Sequence, residues 1–217
     1  MPLTLVIANK AYSSWSLRPW LAMKVTGIPF EEIVIPLRQD DTKARILEHS
    51  PAGKVPVLKD GSITVWESLA ILDYLAEHYP HCGLWPSNPV ARANARSVAA
   101  EMHGGFQGVR SHYPMNVRRR YPGYAPTEDS TRDAARIEAL WADARSRFGQ
   151  GGPFLYGEFT AADAMYAPIV TRFVTYDVTV SDESRAYMQA ILDLPAMQQW
   201  YREAKEEAWV VPAFEFE

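Results

Sequence analysis

An apolar run from Leu3 to Ala8, interrupted by Thr4, predicts a buried strand. The spacing then changes: Leu17, Trp20, Leu21 and Val25 recur at helical intervals. They predict a helix over 14–26, with Pro19 near its first turn and Gly27 ending it. Phe30 to Ile35 carries β-branched residues and reads as a second strand. Asp40 to His49 predicts a short polar helix or turn, and Ser50-Pro51-Ala52-Gly53 a turn. Val55 to Leu58 is apolar, Lys59-Asp60-Gly61-Ser62 is a hairpin signal, and Ile63 to Trp66 is the return strand. Leu69, Leu72, Leu75 and Tyr79 mark one face of a helix that ends before Pro80. The order to this point is β-α-β-α-β-β-α.

Residues 81–89, with His81, Cys82, Gly83, Pro86, Ser87, Asn88 and Pro89, have the composition of a linker. Beyond it only helical spacing recurs, over 91–113, 127–148, 160–176, 183–192 and 196–208. A Gly104-Gly105 pair in the first of these marks close packing or a bend, and Arg118-Arg119-Arg120 lies in a basic loop read as a solvated face. A mixed half followed by a helical half predicts two domains, 1–80 and 90–217.

Composition narrows the function classes. The net charge of −4 leaves no electrostatic footprint for nucleic acid. No apolar run approaches the ~18 residues that suggest a membrane span, so no membrane role is expected. Residues 1–8 lack a basic start and a cleavage site. The single cysteine, Cys82, excludes an internal disulfide and any CxxC metal or dithiol motif. Together these predict a cytoplasmic protein that holds no metal.

Three short stretches carry candidate chemistry. Ser13 and Ser14 sit where a strand turns into a helix. Serine caps helices there, and a helix start also offers free N–H groups to a thiolate or carboxylate. Pro56 lies inside an apolar run. It is either an edge-strand proline or a cis turn that leaves the N–H and C=O of Val55 free to pair with an extended peptide. Glu67-Ser68 precedes the next helix: Ser68 reads as an N-cap, while the pair also suits a zwitterion, Ser68 taking its carboxylate and Glu67 its ammonium.

In this order and frame the three stretches resemble the glutathione transferase superfamily. Ser13-Ser14-Trp15-Ser16-Leu17-Arg18 is similar to the Ser-Ser-Cys-Ser-x-Arg motif of the zeta class, with Trp15 in place of its cysteine. Val55-Pro56-Val57-Leu58 resembles the cis-proline turn, and Glu67-Ser68-Leu69-Ala70-Ile71 the Glu/Gln-Ser-x-Ala-Ile signature. Thr160 to Asp163 resembles the family's capping box, and Leu194 to Trp200 its final helix. The resemblance implies a thioredoxin-like α/β N-terminal domain, an all-α C-terminal domain and a glutathione site between them. It implies that Ser13 binds the glutathione thiol, with Ser14 a neighbouring donor and Tyr12 the runner-up. Lys54 would touch the glycine end, Val55 beside Pro56 the cysteinyl backbone, and Glu67 with Ser68 the γ-glutamyl end.

The small electrophilic co-substrate is expected against Tyr12, Trp15, Met102, His103, Phe106 and Arg110, of which Met102 and Phe106 also suit a core. The resemblance implies a homodimer. It leaves open a zeta-like cis-trans isomerase and a silent protein-binding module. Thr160 with Asp163 has capping-box spacing and is assigned to folding.

Overall fold

A computed structural model describes residues 2–216; Met1 and Glu217 lie outside the described residues. The chain folds as a thioredoxin-like α/β unit followed by helices. The first part runs β1 (Leu3–Ile7), α1 (Ser14–Thr26), β2 (Phe30–Val34), α2 (Thr42–Leu47), β3 (Val57–Asp60), β4 (Ile63–Trp66) and α3 (Ser68–His78). The sheet order is β2-β1-β3-β4: β1 pairs parallel with β2 and antiparallel with β3, and β3 forms a hairpin with β4. Successive residues of β1 face opposite sides of the sheet. Leu5 and Ile7 enter the main core with Leu17, Leu21 and Leu72, while Val6 packs with Ile35, Ile46 and Val57 on the α2 side.

The helical part comprises α4 (Pro89–Gly104), α5 (Gln107–His112), α6 (Glu128–Phe148), α7 (Ala161–Thr175), α8 (Asp182–Leu192) and α9 (Pro195–Glu206). Helix α7 is buried along almost its whole length and packs against α1 and α4. Its start is fixed locally: the Asp163 carboxylate accepts from Thr160 N–H and Thr160 Oγ1, both at 2.8 Å, and from Leu155 N–H at 3.1 Å.

Three expectations are corrected, and one pair of alternatives is decided. The helix read over 91–113 is two helices, because Gly105 is extended and Phe106 has a left-handed φ of 60°. At Gly105 a Cβ would stand 2.7 Å from the Glu101 carbonyl, so the break uses the glycine. Pro19 lies in the second turn of α1, not the first, and therefore removes the N–H that would bond the Trp15 carbonyl. Of the two readings of Pro56 the cis turn holds: the Val55–Pro56 bond is cis, and β3 starts after it at Val57, inside the sheet, so the edge-strand alternative drops out. Arg118 is not a solvated side chain. It donates to the carbonyls of Glu207 and Trp209, each at 2.9 Å, and to the Tyr12 hydroxyl. It thereby ties the segment after α9 to the start of α1, a link no local pattern signals.

Candidate functional site

The strand-to-helix corner is built from serines. Ser13 is the N-cap of α1, and its Oγ accepts from Ser16 N–H at 3.4 Å. The hydroxyls of Ser13 and Ser16 are 2.7 Å apart, and Ser16 Oγ accepts from Ala8 N–H at 3.0 Å. Either hydroxyl can donate to the other. With Ser16 donating, Ser13 accepts twice and keeps its own O–H for a third group.

That third group has a place. A cleft of about 460 Å³ opens beside the start of α1, and Ser13, Trp15, Lys54, Val55, Glu67 and Arg110 line it, with Pro56 and Trp66 beside them. Val55 precedes β3 and stands outside both ladders. Among the described residues, neither its N–H nor its C=O pairs with another backbone group. Glu67 has a φ of 69°, uncommon for a residue with a Cβ, and its side chain is half exposed beside the start of α3.

Other expected site residues turn away from the cleft. Each adjacent pair straddles a helix start: the non-helical backbone of Ser13 and Glu67 turns them in a different direction from Ser14 and Ser68, the first helical residues. Ser14 Oγ accepts from Arg172 Nη2 at 3.2 Å in the interior, so it is not a cleft donor. Ser68 is the first residue of α3 rather than its cap. It is fully buried, with its hydroxyl 3.9 Å from the Met165 sulfur. Tyr12 is buried, and its hydroxyl donates to Glu215 at 2.6 Å. Burial first, and then that bond, push its pKa up. Met102 is fully buried in the core, and Phe106 packs against Tyr166.

His103 forms a second layer behind the cleft wall. Its ring meets Trp15 edge-on at 5.2 Å, and its Nε2 is 3.5 Å from Glu67. Burial, reinforced by Arg18 and Arg110, lowers its pKa despite Glu67. The shift favours the neutral imidazole and weakens any charge attraction to Glu67. Sequence reasoning assigned no site role to Ser16, Trp66, Arg18 or Arg172. Ser16 was legible as the next serine of the same motif, whereas Arg172 comes from α7 and had no local signal.

Family models decide the relationship. Residues 12–78 match the glutathione S-transferase N-terminal domain, and residues 127–203 match its C-terminal domain. The chain belongs to the glutathione S-transferase family. A glutathione transferase homolog from Burkholderia, solved with bound glutathione, superposes on this transferase fold with a TM-score of 0.72. It is 20% identical, and the match covers 95% of this chain and 99% of that one. In sequence, the rat maleylacetoacetate isomerase is 37% identical over 101 residues, 45% of this chain and 46% of its own length. A stringent starvation protein A homolog of Coxiella burnetii is 28% identical over 129 residues, 58% of this chain and 56% of its own. These matches thus span about half the length of the curated relatives. No helix among the described residues is long and apolar enough to cross a membrane.

Proposed function

We propose that the chain is a serine-type glutathione transferase, which uses the glutathione thiolate against small electrophiles. The observation that carries the reading is one cleft wall. It holds the Ser13 hydroxyl, the unpaired Val55 backbone, the Lys54 ammonium and the Glu67 carboxylate together. Glutathione has a carboxylate at each end, an ammonium at the γ-glutamyl end, an extended backbone and a thiol, and that wall offers complementary groups for the glycine carboxylate, the ammonium, the backbone and the thiol. Lys54 suits the glycine carboxylate and Glu67 the ammonium. The γ-glutamyl carboxylate would lie at the start of α3, whose first N–H groups have no helical partner. Val55 would pair with the cysteinyl amide as an added strand does.

Glutathione brings the nucleophilic sulfur, and Ser13 supplies the hydrogen bond that favours its charged form. The Ser16 hydroxyl, held by Ala8 N–H, lies 2.7 Å from Ser13 Oγ; when Ser13 gives its O–H to the glutathione sulfur, Ser16 turns to donate to Ser13 and polarises that bond. A homodimer is part of this reading and is supported by the family resemblance; light scattering after size exclusion tests it. Similarity to maleylacetoacetate isomerases favours a second reading, reversible addition of the same thiolate that isomerises a double bond. Retention on immobilised glutathione with elution by the free tripeptide, together with turnover of chlorodinitrobenzene, tests the proposal. Neither retention nor thiol-dependent turnover would leave a silent binding module.

A further inference from the structure

Three arginines converge behind the cleft without a counter-charge. Arg18, on α1, is 1% exposed. Its Nε donates to the Met165 carbonyl at 3.2 Å, and its buried Nη1 has no partner. Arg172, on α7, is 5% exposed and spends its donors on the carbonyls of Tyr113 and Pro168 and on Ser14 Oγ. Arg110, on α5, bonds the carbonyls of Gly105 and His103 and lines the cleft. The guanidinium carbons of Arg18 and Arg110 lie 4.2 and 4.6 Å from the centre of the Trp15 ring.

Every one of these partners is a neutral group or an aromatic face. Among the described residues, no carboxylate lies within 4.0 Å of any of the three guanidiniums. The acid that lines the cleft, Glu67, is in contact with His103 at 3.5 Å instead. Burying a cation without an anion is costly. The cost is visible in both buried arginines. Burial first, then the other guanidiniums, lower the pKa of Arg18, and burial with Arg110 lowers that of Arg172 to about 10. A cluster of buried like charges at the wall of a cleft is a candidate site for a ligand of the opposite charge.

The bound thiolate brings one negative charge, which leaves the cluster in positive excess. We infer that the co-substrate of this transferase carries an anionic group of the carboxylate type. Arg110 meets it at the cleft wall beside the Trp15 ring, and Arg18 with Arg172 supplies the positive field behind. Planar guanidinium suits a carboxylate, and Trp15 offers a flat apolar face to the body of the same molecule. This inference rests on the proposed transferase reading, and deepens it by naming the substrate class.

The test compares a neutral electrophile, chlorodinitrobenzene, with its carboxylate analogue, chlorodinitrobenzoate, at saturating glutathione. The ratio of their kcat/KM values, carboxylate over neutral, should fall about tenfold or more in Arg110→Met, the loss of a hydrogen bond to a charged group. Arg110→Lys, which keeps the charge, should restore most of it. An unchanged ratio overturns the inference. So does an equal loss on both electrophiles with a raised bound-thiol pKa, which would assign the cluster to the thiolate. Calorimetric titration with the unreactive dinitrobenzoate and dinitrobenzene separates this from the transferase reading. If neither electrophile turns over, that reading fails. Tighter binding of the carboxylate, lost in Arg110→Met, still upholds the anion subsite, and equal binding of the pair refutes it.

Discussion

Removing one hydroxyl at the α1 corner tests the proposed activation of the thiol. Ser13→Ala keeps the helix and its N–H groups but deletes the donor. The capping loss is small, because the bond from Ser16 N–H is long at 3.4 Å, so a stability cost near the low end of about 0.5–2 kcal/mol is expected. The chemical loss is larger. A hydrogen bond to a charged group contributes about 1.5–3 kcal/mol, or roughly 1–2 pKa units. A free thiol titrates near ~8.5. If Ser13 and the helix start together bring it to about 6.5, roughly three quarters is thiolate at pH 7. Raising that value by about 1–2 units leaves between about a quarter and 3% ionised, a rate loss of about 3- to 25-fold at pH 7. The loss should vanish at a pH well above the free thiol value, where both proteins hold thiolate. Ultraviolet titration of the bound thiolate and the pH–rate profile measure it. An identical titration in mutant and wild type, or a loss that stays constant with pH, would refute the reasoning.

Other perturbations separate the remaining parts. Ser16→Ala removes the group that lets Ser13 direct its O–H outward, so the bound thiol pKa should rise in the same direction as in Ser13→Ala, by a smaller amount, and the double mutant should be less than additive. Glu67→Gln should weaken glutathione binding by about tenfold, read as KM for glutathione, with little change in kcat, since it removes a charged partner remote from the sulfur. Thr160→Ala should cost about 0.5–2 kcal/mol in urea unfolding and leave kcat/KM per folded molecule unchanged. Burial lifts the Asp163 carboxyl from 3.8 to about 6, against its hydrogen bonds. The native chain then holds this proton where the unfolded chain has lost it. Stability from this group is therefore full below the unfolded value and is lost as pH rises through that window, by about 3 kcal/mol. Asp163→Asn should lack that slope between pH 4 and 6.5, and an identical slope in both proteins would remove Asp163 as its source.

Much of the fold was legible because local period and turn chemistry write it directly. The strand–helix order through α3 follows from apolar spacing, and Gly27 ends α1 with a φ of 73°, as a helix-stopping glycine should. The capping boxes of α6 and α7 are likewise local. The Gly104-Gly105 pair left close packing or a bend open, and the structure breaks the helix there. The segment after α9 carried no local signal: Asn116 donates to the Phe214 carbonyl, Arg118 to the Glu207 carbonyl and Arg119 to the Glu215 carboxylate, all from a distant loop.

By itself the sequence determined the order of the elements and the three short stretches that meet at the cleft, since each stretch is a turn whose geometry its own residues impose. It also determined that a serine caps α1. Which member of each adjacent pair faces the cleft was decided only by docking. Ser13 and Glu67 line it, while Ser14 and Ser68 turn to α7, because the non-helical cap and the first helical residue point in different directions and only the packing partner says which direction is inside. The arginine cluster is wholly tertiary. Arg18, Arg110 and Arg172 lie on three helices separated by many tens of residues; the packing of α1 against α7 brings Arg18 and Arg172 together, and the Trp15 ring is shared by Arg18 and Arg110.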